Sequence, residues 1–549
     1  MTDTLRISFA QFNPTVGDIA GNADLVRKAR RHAAEDSADL VMLSELFLSG
    51  YPPEDLVLKP AFQEACRAAT EALAAETADG GPAVLLGTPW VEEGKLYNAI
   101  CLLDGGKVAA TRYKVDLPNY SVFDEKRVFA AAGLQGPVSF RDVRLGLPIC
   151  EDIWKPEVVE CLVESGADIL LVPNGSPYEY DKQDVRYTLV RQRIEESGRP
   201  AVYLNQVGGQ DELVFDGASF VVNGDGQIAV QMPAFAEAQT TTTWRRVGNN
   251  GWKCDAGLLA PQPDQLEGIY QAMMLGLRDY VNKNRFPGIL LGLSGGIDSA
   301  ISAAVAVDAL GADKVRAFML PSPYTSDDSI DDAAQCAELL GITHDTVSIQ
   351  PAMHAFEEML RDVFAGRNQD VTEENVQSRI RGVSLMAISN KLGHMLLTTG
   401  NKSEMSVGYA TLYGDMCGGF SVLKDIYKIM VYRLCKWRNA HKPANALGPS
   451  GPVMPERVLT KAPTAELRPN QTDQDSLPPY EILDGILECL VEKELTVEAI
   501  VAKGFDRATV LRVWRMLDLA EYKRRQAPPG VKITHRAFGK DRRYPITNG

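Results

Sequence analysis

A chain of 549 residues exceeds what one ordinary core organises, and with 45% hydrophobic and 23% charged residues it reads as at least two globular domains. Its formal net charge of -15 argues against broad electrostatic capture of nucleic acid or of an anionic membrane. Nine cysteines, without a CxxC pair or clustering with histidine, speak against a disulfide framework or a zinc site and for reduced thiols. The opening MTDTLRISFAQFNP has neither a basic leader nor an apolar core, and no run reaches eighteen uninterrupted apolar residues, so a cytoplasmic location is expected. From Leu5 to about Val230, short strand-like runs (LRISFAQF, DLVMLSE, AVLLGT, YNAICLL, RLGLPIC, DILLVPN, AVYLNQV, ASFVVN) alternate with helical segments such as Ala23 to Glu35. That is a layered α/β pattern. From about Gln231 it lapses into TTTTWRRVGNNGWK and APQPDQ, which reads as a linker. A second unit opens with a helix from Gln265 to Asn282. Strand ILLGL, helix Ser299 to Leu310, strand VRAFML, helix Ser329 to Leu340 and strand HDTVSI follow. Such alternation predicts a parallel sheet with helices on both faces, with ligands beyond the carboxyl ends of its strands. The expected division is 1–260, including the linker, and 261–549.

Three strand ends in the first half carry reactive side chains: Glu45 after DLVMLS, Lys114 after VAATRY and Cys150 after RLGLPI. A thiol beside an ammonium loses its proton more easily, and a nearby carboxylate can take and return protons. Together they suit a nucleophile, its activator and a base. The competing reading is a buried small hydrophobe at 150 and a surface charge at 114. In the second half, SGGIDS joins an apolar strand to an Ala- and Val-rich helix. Unpaired N–H groups of that helix start, the dipole and the hydroxyls of Ser294 and Ser299 make an anion site. The Walker pattern would place Lys and Ser or Thr after the last glycine, but Ile297 and Asp298 stand there. A carboxylate tolerates phosphate only across a metal. The loop therefore suggests metal-bridged phosphate or pyrophosphate, against a plain Gly turn with a Ser cap.

SELFLSGYPPEDL, RYKVDLPNYSVFDEKRVF and LPICEDIW resemble, in order and spacing, the three signature segments of the nitrilase, or carbon-nitrogen hydrolase, superfamily. The resemblance implies an α/β/β/α sandwich, with Glu45 as general base, Lys114 as oxyanion stabiliser, Cys150 as nucleophile and Glu125 as a supporting carboxylate. In its glutaminase branch the positions matching Tyr120, Ser176 and Lys182 hold glutamine. SGGIDS resembles the loop of the N-type ATP pyrophosphatases. ENVQSRIRGVSLMAISN, TTGNKSEMSVGYATLYGDMCGGFSVLKDIYK, TKAPTAELRPNQTDQDSLPPYEILD and EYKRRQAPPGVKITHRAFGKDRRYPI resemble successive blocks of the NAD synthetases. Nearly the whole chain is thus similar to the glutamine-dependent, two-domain members of that family.

What this implies for the second half is a doubly wound, Rossmann-like sheet that binds ATP through Ser294, Gly295, Gly296, Ile297, Asp298, Ser299 and Thr399. Mg2+ is implied at Asp298 and Glu404. Deamido-NAD is implied at Asn375, Glu404, Asp415 and Lys523, and phosphate stabilisation at Lys428 and Lys461. The implied reaction amidates deamido-NAD with ammonia from L-glutamine or with ammonium, through an acyl-adenylate. The implied assembly is a homo-oligomer, at least a dimer through the synthetase unit, with an enclosed passage for ammonia. An adenylating amidotransferase for another acceptor is the alternative. Plainer readings exist for the parts: NKSE as a capping arrangement, Arg379 and Arg381 as surface cations, and EYKRRQ as a solvated helix end or part of a nucleic-acid-reading helix pair.

Overall fold

The computed structural model describes residues 3–248 and 251–547, which divide into two compact units, Met1–Asp264 and Gln265–Gly549. In the first, two sheets stack between two helical layers. One sheet runs, edge to edge, Gly251–Cys254, Ala238–Val247, Thr4–Gln11, Leu40–Met42, Ala83–Glu92, Lys95–Asp104 and Lys107–Tyr113. The other runs Ile228–Gln231, Phe220–Val222, Ala201–Asn205, Ile169–Asn174, Val143–Gly146 and Val138–Phe140.

Strand periodicity explains the layering, because successive side chains point to opposite faces. Leu40 and Met42 join Ile169, Leu171, Val202 and Leu204 in the core between the sheets. Their neighbours Val41 and Leu43 pack instead with Val26, Ala29 and Leu73 of the helices Ile19–Glu35 and Pro60–Glu76. On the far side, Leu170, Val172 and Tyr203 meet Val158, Leu162, Leu189 and Ile194 of the helices Pro156–Glu164 and Lys182–Ser197. Strands that are apolar on both faces require cover on both. The result is the expected α/β/β/α sandwich.

Most of the tract from about residue 231 that composition marked as a linker is not one, although its end at 260–264, at the seam of the two units, carries no helix or strand. Ala238–Val247 is a ten-residue strand antiparallel to Thr4–Gln11, with Thr242 opposite Ile7 and Thr240 opposite Phe9. Threonine is β-branched and suits a pleated surface although it is polar. Here its hydroxyls are absorbed locally: Thr242 Oγ1 donates to the Ile7 carbonyl at 3.0 Å and accepts from Trp244 Nε1 at 2.8 Å.

In the second unit, the strands Thr343–Thr346, Val315–Met319, Ile289–Gly292, Met395–Thr398 and Phe420–Ser421 form one sheet in that spatial order, every neighbouring pair parallel. In chain order this is third, second, first, fourth, fifth. The doubly wound arrangement has its switch point between Ile289–Gly292 and Met395–Thr398, where a crevice opens at the carboxyl ends. The helices Gln350–Leu360 and Val371–Leu392 cover one face, where Met353, Ile380 and Leu385 pack on Leu290, Phe318 and Leu396. The helix Ile297–Leu310 packs against Ile289–Gly292 and Val315–Met319 and also meets the helix Gln265–Lys283. The fragment EYKRRQ is only partly a solvated helix end: Tyr522, Arg525 and Gln526 are exposed, but Arg524 is buried, and its Nη2 donates to Glu521 Oε2 at 2.7 Å. Among the described residues no helix is long and apolar enough to cross a membrane.

Candidate active sites

The first site lies where three strand ends of the sandwich converge. Lys114, just past Lys107–Tyr113, is fully buried and donates from Nζ to Glu45 Oε1 at 2.7 Å and to both oxygens of Glu125 at 2.9 Å. Glu45 is itself buried. Its Oε1 also accepts from Asn98 Nδ2 at 2.7 Å, and its Oε2 accepts from the Gly175 N–H at 2.9 Å. Tyr51 donates to Glu125 Oε1 at 2.9 Å. Burial favours a neutral lysine, but the adjacent Glu125 and Glu45 outweigh it and hold Lys114 protonated well above its ordinary range. Burial likewise lifts Glu125, with Lys114 opposing.

Cys150 opens a short 3-10 turn, Cys150–Ile153, with three residues between it and the strand Val143–Gly146. Its φ of +46° is a left-handed conformation that a non-glycine residue adopts at a cost, as does Leu46 beside Glu45 at +47°. Such strain persists where the surroundings over-determine it, and here they do. Asp152 accepts from the Ile149 N–H at 2.9 Å with one oxygen, and from the Val115 and Asp116 N–H groups at 3.0 and 2.7 Å with the other. One carboxylate thereby ties the turn carrying Cys150 to the chain leaving Lys114. Burial pushes Asp152 up to about 7, while those three N–H groups pull the other way. Burial, reinforced by Glu45 and opposed by Lys114, holds the Cys150 thiol well above its usual range. The resting thiol is neutral, and Glu45 is the carboxylate whose charge reinforces the lift of its pKa most.

Glycine is required where Glu45 is set. A β-carbon at Gly87 would lie 2.3 Å from the Ser44 carbonyl oxygen and 2.5 Å from the Leu46 nitrogen. Gly87→Ala is expected to displace Glu45 and lower turnover at this site by about a hundredfold, the usual cost of a misplacement near 1 Å. A turnover assay at the parent rate would contradict this.

The three residues expected to hold glutamine differ in setting. Tyr120 is exposed and donates to both oxygens of Glu151, at 3.1 and 2.9 Å, next to Cys150. Ser176 is buried, and its hydroxyl accepts from Arg186 Nε at 3.2 Å. Lys182 begins the helix Lys182–Ser197, with its ammonium 3.6 Å from Glu179 and over the Trp154 ring.

The second site sits at the switch point of the parallel sheet. A cavity of about 310 Å³ is lined by the whole run Gly292–Ser299 and by Thr398, Thr399 and Gly400 of the neighbouring strand end. Gly295 has φ +79°, and a β-carbon there would lie 2.2 Å from the Ser329 carbonyl oxygen, so the loop admits only glycine. Ser299 Oγ donates to the Gly296 carbonyl at 2.9 Å and accepts from the Ser294 N–H at 3.2 Å. Backbone N–H groups of the helix start beyond Gly296 border the cavity, as an anion site requires.

Around this loop two carboxylates meet one ammonium. Lys428, buried at the start of the helix Lys428–Ala440, donates to Asp298 Oδ2 and, at 3.1 Å, to Glu404 Oε1. Asn401 serves twice: Oδ1 caps the helix Lys402–Val407 by accepting from the Glu404 N–H at 3.0 Å, while Nδ2 donates to Asp298 Oδ1 at 3.1 Å. The capping reading of NKSE is therefore correct but incomplete. Burial lifts Glu404 to about 7, with Lys428 opposing and Asp298 adding. Lys461 and Asp415 also line the cavity, whereas Asn375 and Lys523 are not among its lining residues. Thr411 links two of these by donating to Asn375 Oδ1 at 2.9 Å and, through its N–H, to Asp415 Oδ1 at 2.6 Å. Lys523 donates to the Gly408 and Ala410 carbonyls at 2.7 and 2.6 Å and feels the Asp415 charge.

Residues 6–246 match the family model described as carbon-nitrogen hydrolase, and 269–527 match that of NAD synthase. A glutamine-dependent NAD(+) synthetase of Rhodobacter capsulatus is 53% identical over 100% of this chain and 99% of its own. The chain belongs to the glutamine-dependent NAD(+) synthetase family. A solved synthetase from Acinetobacter baumannii, in complex with ADP, superposes with a TM-score of 0.79 at 41% identity, covering 99% of this chain and 98% of that one. One from Cytophaga hutchinsonii shares the fold, with a TM-score of 0.82 at 23% identity over 99% and 98% of the two chains.

Within this member of the NAD(+) synthetases, sequence reasoning passed over Asn98, Gly175, Asp152 and Tyr51 at the first site, while at the second it read Asn401 only as a helix cap and Arg381 as a surface cation, whereas Asn401 also bonds Asp298 and Arg381 lines the cavity. Asp152 had a signal, since it lies two residues past Cys150. The others are adjacent only through the fold.

Proposed function

We propose that the chain converts deamido-NAD to NAD, consuming ATP and ammonia released from L-glutamine, with AMP, pyrophosphate and glutamate as products. The observation that carries the proposal is the coexistence, in one chain, of a buried Glu–Lys–Cys set and a glycine-loop cavity at a doubly wound switch point.

At the first site, Glu45 takes the Cys150 proton as sulfur attacks the side-chain amide carbon of glutamine. Lys114 and the Glu151 N–H stabilise the tetrahedral oxyanion. Glu45 then hands the proton to the leaving nitrogen, which departs as ammonia. The glutamyl thioester is hydrolysed by water that Glu45 activates. Tyr120, Ser176 and Lys182 hold the glutamine; of the three, Tyr120 is best supported, by its exposed hydroxyl beside Glu151.

At the second site, a bare nicotinate carboxylate resists amines and must first be activated. Its oxygen attacks the α-phosphorus of ATP, pyrophosphate leaves, and ammonia displaces AMP from the acyl-adenylate. The Ser294–Ser299 loop and Thr399 receive ATP, and Asn375, Glu404, Asp415 and Lys523 receive the dinucleotide. Lys428 and Lys461 offset charge on the departing pyrophosphate. Asp298 and Glu404 suit Mg2+, because two hard carboxylate oxygens already converge on a single positive charge. When bound, the ion neutralises phosphate charge. The reading extends to a cytoplasmic enzyme assembled at least as a dimer through its synthetase unit.

Incubating the protein with deamido-NAD, ATP, Mg2+ and either glutamine or ammonium tests this. NAD, AMP and pyrophosphate are expected with both donors. Failure to form NAD from either rejects the proposal.

A further inference from the structure

Three cationic side chains line the synthetase cavity, and they differ in what neutralises them. Lys428 faces Asp298 and Glu404, and Lys461 lies 3.3 Å from Glu466. Arg381 has no such partner. On the helix Val371–Leu392 its neighbour two residues back, Arg379, is exposed as a surface cation should be, but Arg381 turns inward. Its Nε donates to the Leu320 carbonyl at 2.9 Å, at the carboxyl end of the strand Val315–Met319. Among the described residues neither Nη group has a hydrogen-bond partner, and no carboxylate lies within ion-pair distance.

The two acids whose charge reaches Arg381 are committed elsewhere. Glu466 Oε1 accepts from the Ser326 and Ser329 hydroxyls, both at 2.8 Å, and from Lys461. Asp415 Oδ1 accepts from the Thr411 N–H at 2.6 Å. Burial lowers Arg381 to about 10, which leaves it charged at neutral pH. Arg381 is half-buried, so its outer N–H groups are left to the cavity and its solvent rather than to a counter-charge. A planar fork with its outer N–H groups unspent, set in a cavity beside an anion-binding loop, matches the geometry of a phosphate.

We propose that Arg381 binds a phosphate group of the nucleotide substrates, an assignment that rests on the function proposed above. The shared chemistry is a phosphoryl oxyanion, supplied either by the ATP triphosphate or by the diphosphate bridge of deamido-NAD. Calorimetric titration of the full chain with a non-hydrolysable ATP analogue, and separately with deamido-NAD, distinguishes the two. Arg381→Met is expected to weaken one of these ligands by tenfold or more, and Arg381→Lys, which keeps the charge but loses the fork, by less. The ligand-free Met variant should melt close to the parent, because a half-buried side chain gives up only its hydrogen bond to the Leu320 carbonyl. Weakening confined to the ATP analogue assigns the triphosphate, and weakening confined to deamido-NAD assigns the diphosphate. Affinities within twofold of the parent for both ligands in the Met variant overturn the proposal. So does a destabilised Met variant whose Lys counterpart binds both ligands like the parent. A parent protein that binds neither ligand rejects instead the function on which the proposal rests.

Discussion

Cys150→Ala should remove glutamine-supported NAD formation, by a thousandfold or more, while ammonium-supported formation persists at a rate comparable to the parent. The magnitude follows from covalent catalysis: without sulfur there is no thioester, and a buried Glu45 and Lys114 alone supply only orientation and oxyanion stabilisation. The variant is a mild structural change. Cys150 is buried in a cluster of Leu145, Ile149 and Ile169, and alanine fits the same space with only the sulfur lost. The left-handed φ of +46° is no harder for alanine than for cysteine, so the turn held by Asp152 should survive. Paired assays with glutamine and with ammonium on one preparation separate the outcomes. Equal loss with both donors would mean that the two units do not carry separable chemistry.

How much of this was legible beforehand depends on which force placed each residue. Glu45, Lys114 and Cys150 could be read only from the family resemblance of the segments around them, because their residue types and places just past strands fit a buried thiol and a surface charge as well. Their mutual geometry could not be read. It depends on Asn98, in the strand Lys95–Asp104, and Gly175, just past the strand Ile169–Asn174, which both reach Glu45, and on Gly87, whose missing side chain makes room for the Glu45 backbone. The threonine run failed for another reason: its polarity imitates a linker, whereas its β-branching and the edge left open beside Thr4–Gln11 make it a strand. Arg381 failed because helical spacing alone gives no facing direction when polar residues surround the helix. Only the sheet beneath decides that Ile380 and Leu385 are covered and that Arg381 reaches Leu320.

Asp298→Asn is expected to lower NAD formation with glutamine and with ammonium alike, by a hundredfold to a thousandfold. Asp298 is the point at which the loop and two other segments are charge-matched: its oxygens accept from Lys428 and from Asn401, and Asn401 in turn caps the helix that carries Glu404. Asparagine keeps the volume and one acceptor but removes the negative charge. Lys428 is then left to Glu404 alone, and the Mg2+ site proposed above loses one of its two carboxylates. Both losses fall on the step that departs with pyrophosphate, which precedes any encounter with ammonia. The nitrogen source therefore cannot rescue the variant, in contrast to Cys150→Ala. Pyrophosphate release measured with each donor decides the matter, and near-parental release with ammonium would show that Asp298 does not act in adenylation. Retention of ATP-analogue binding together with lost turnover would place its contribution in the transition state, because an interaction equally strong in the ground state would appear as weakened binding instead.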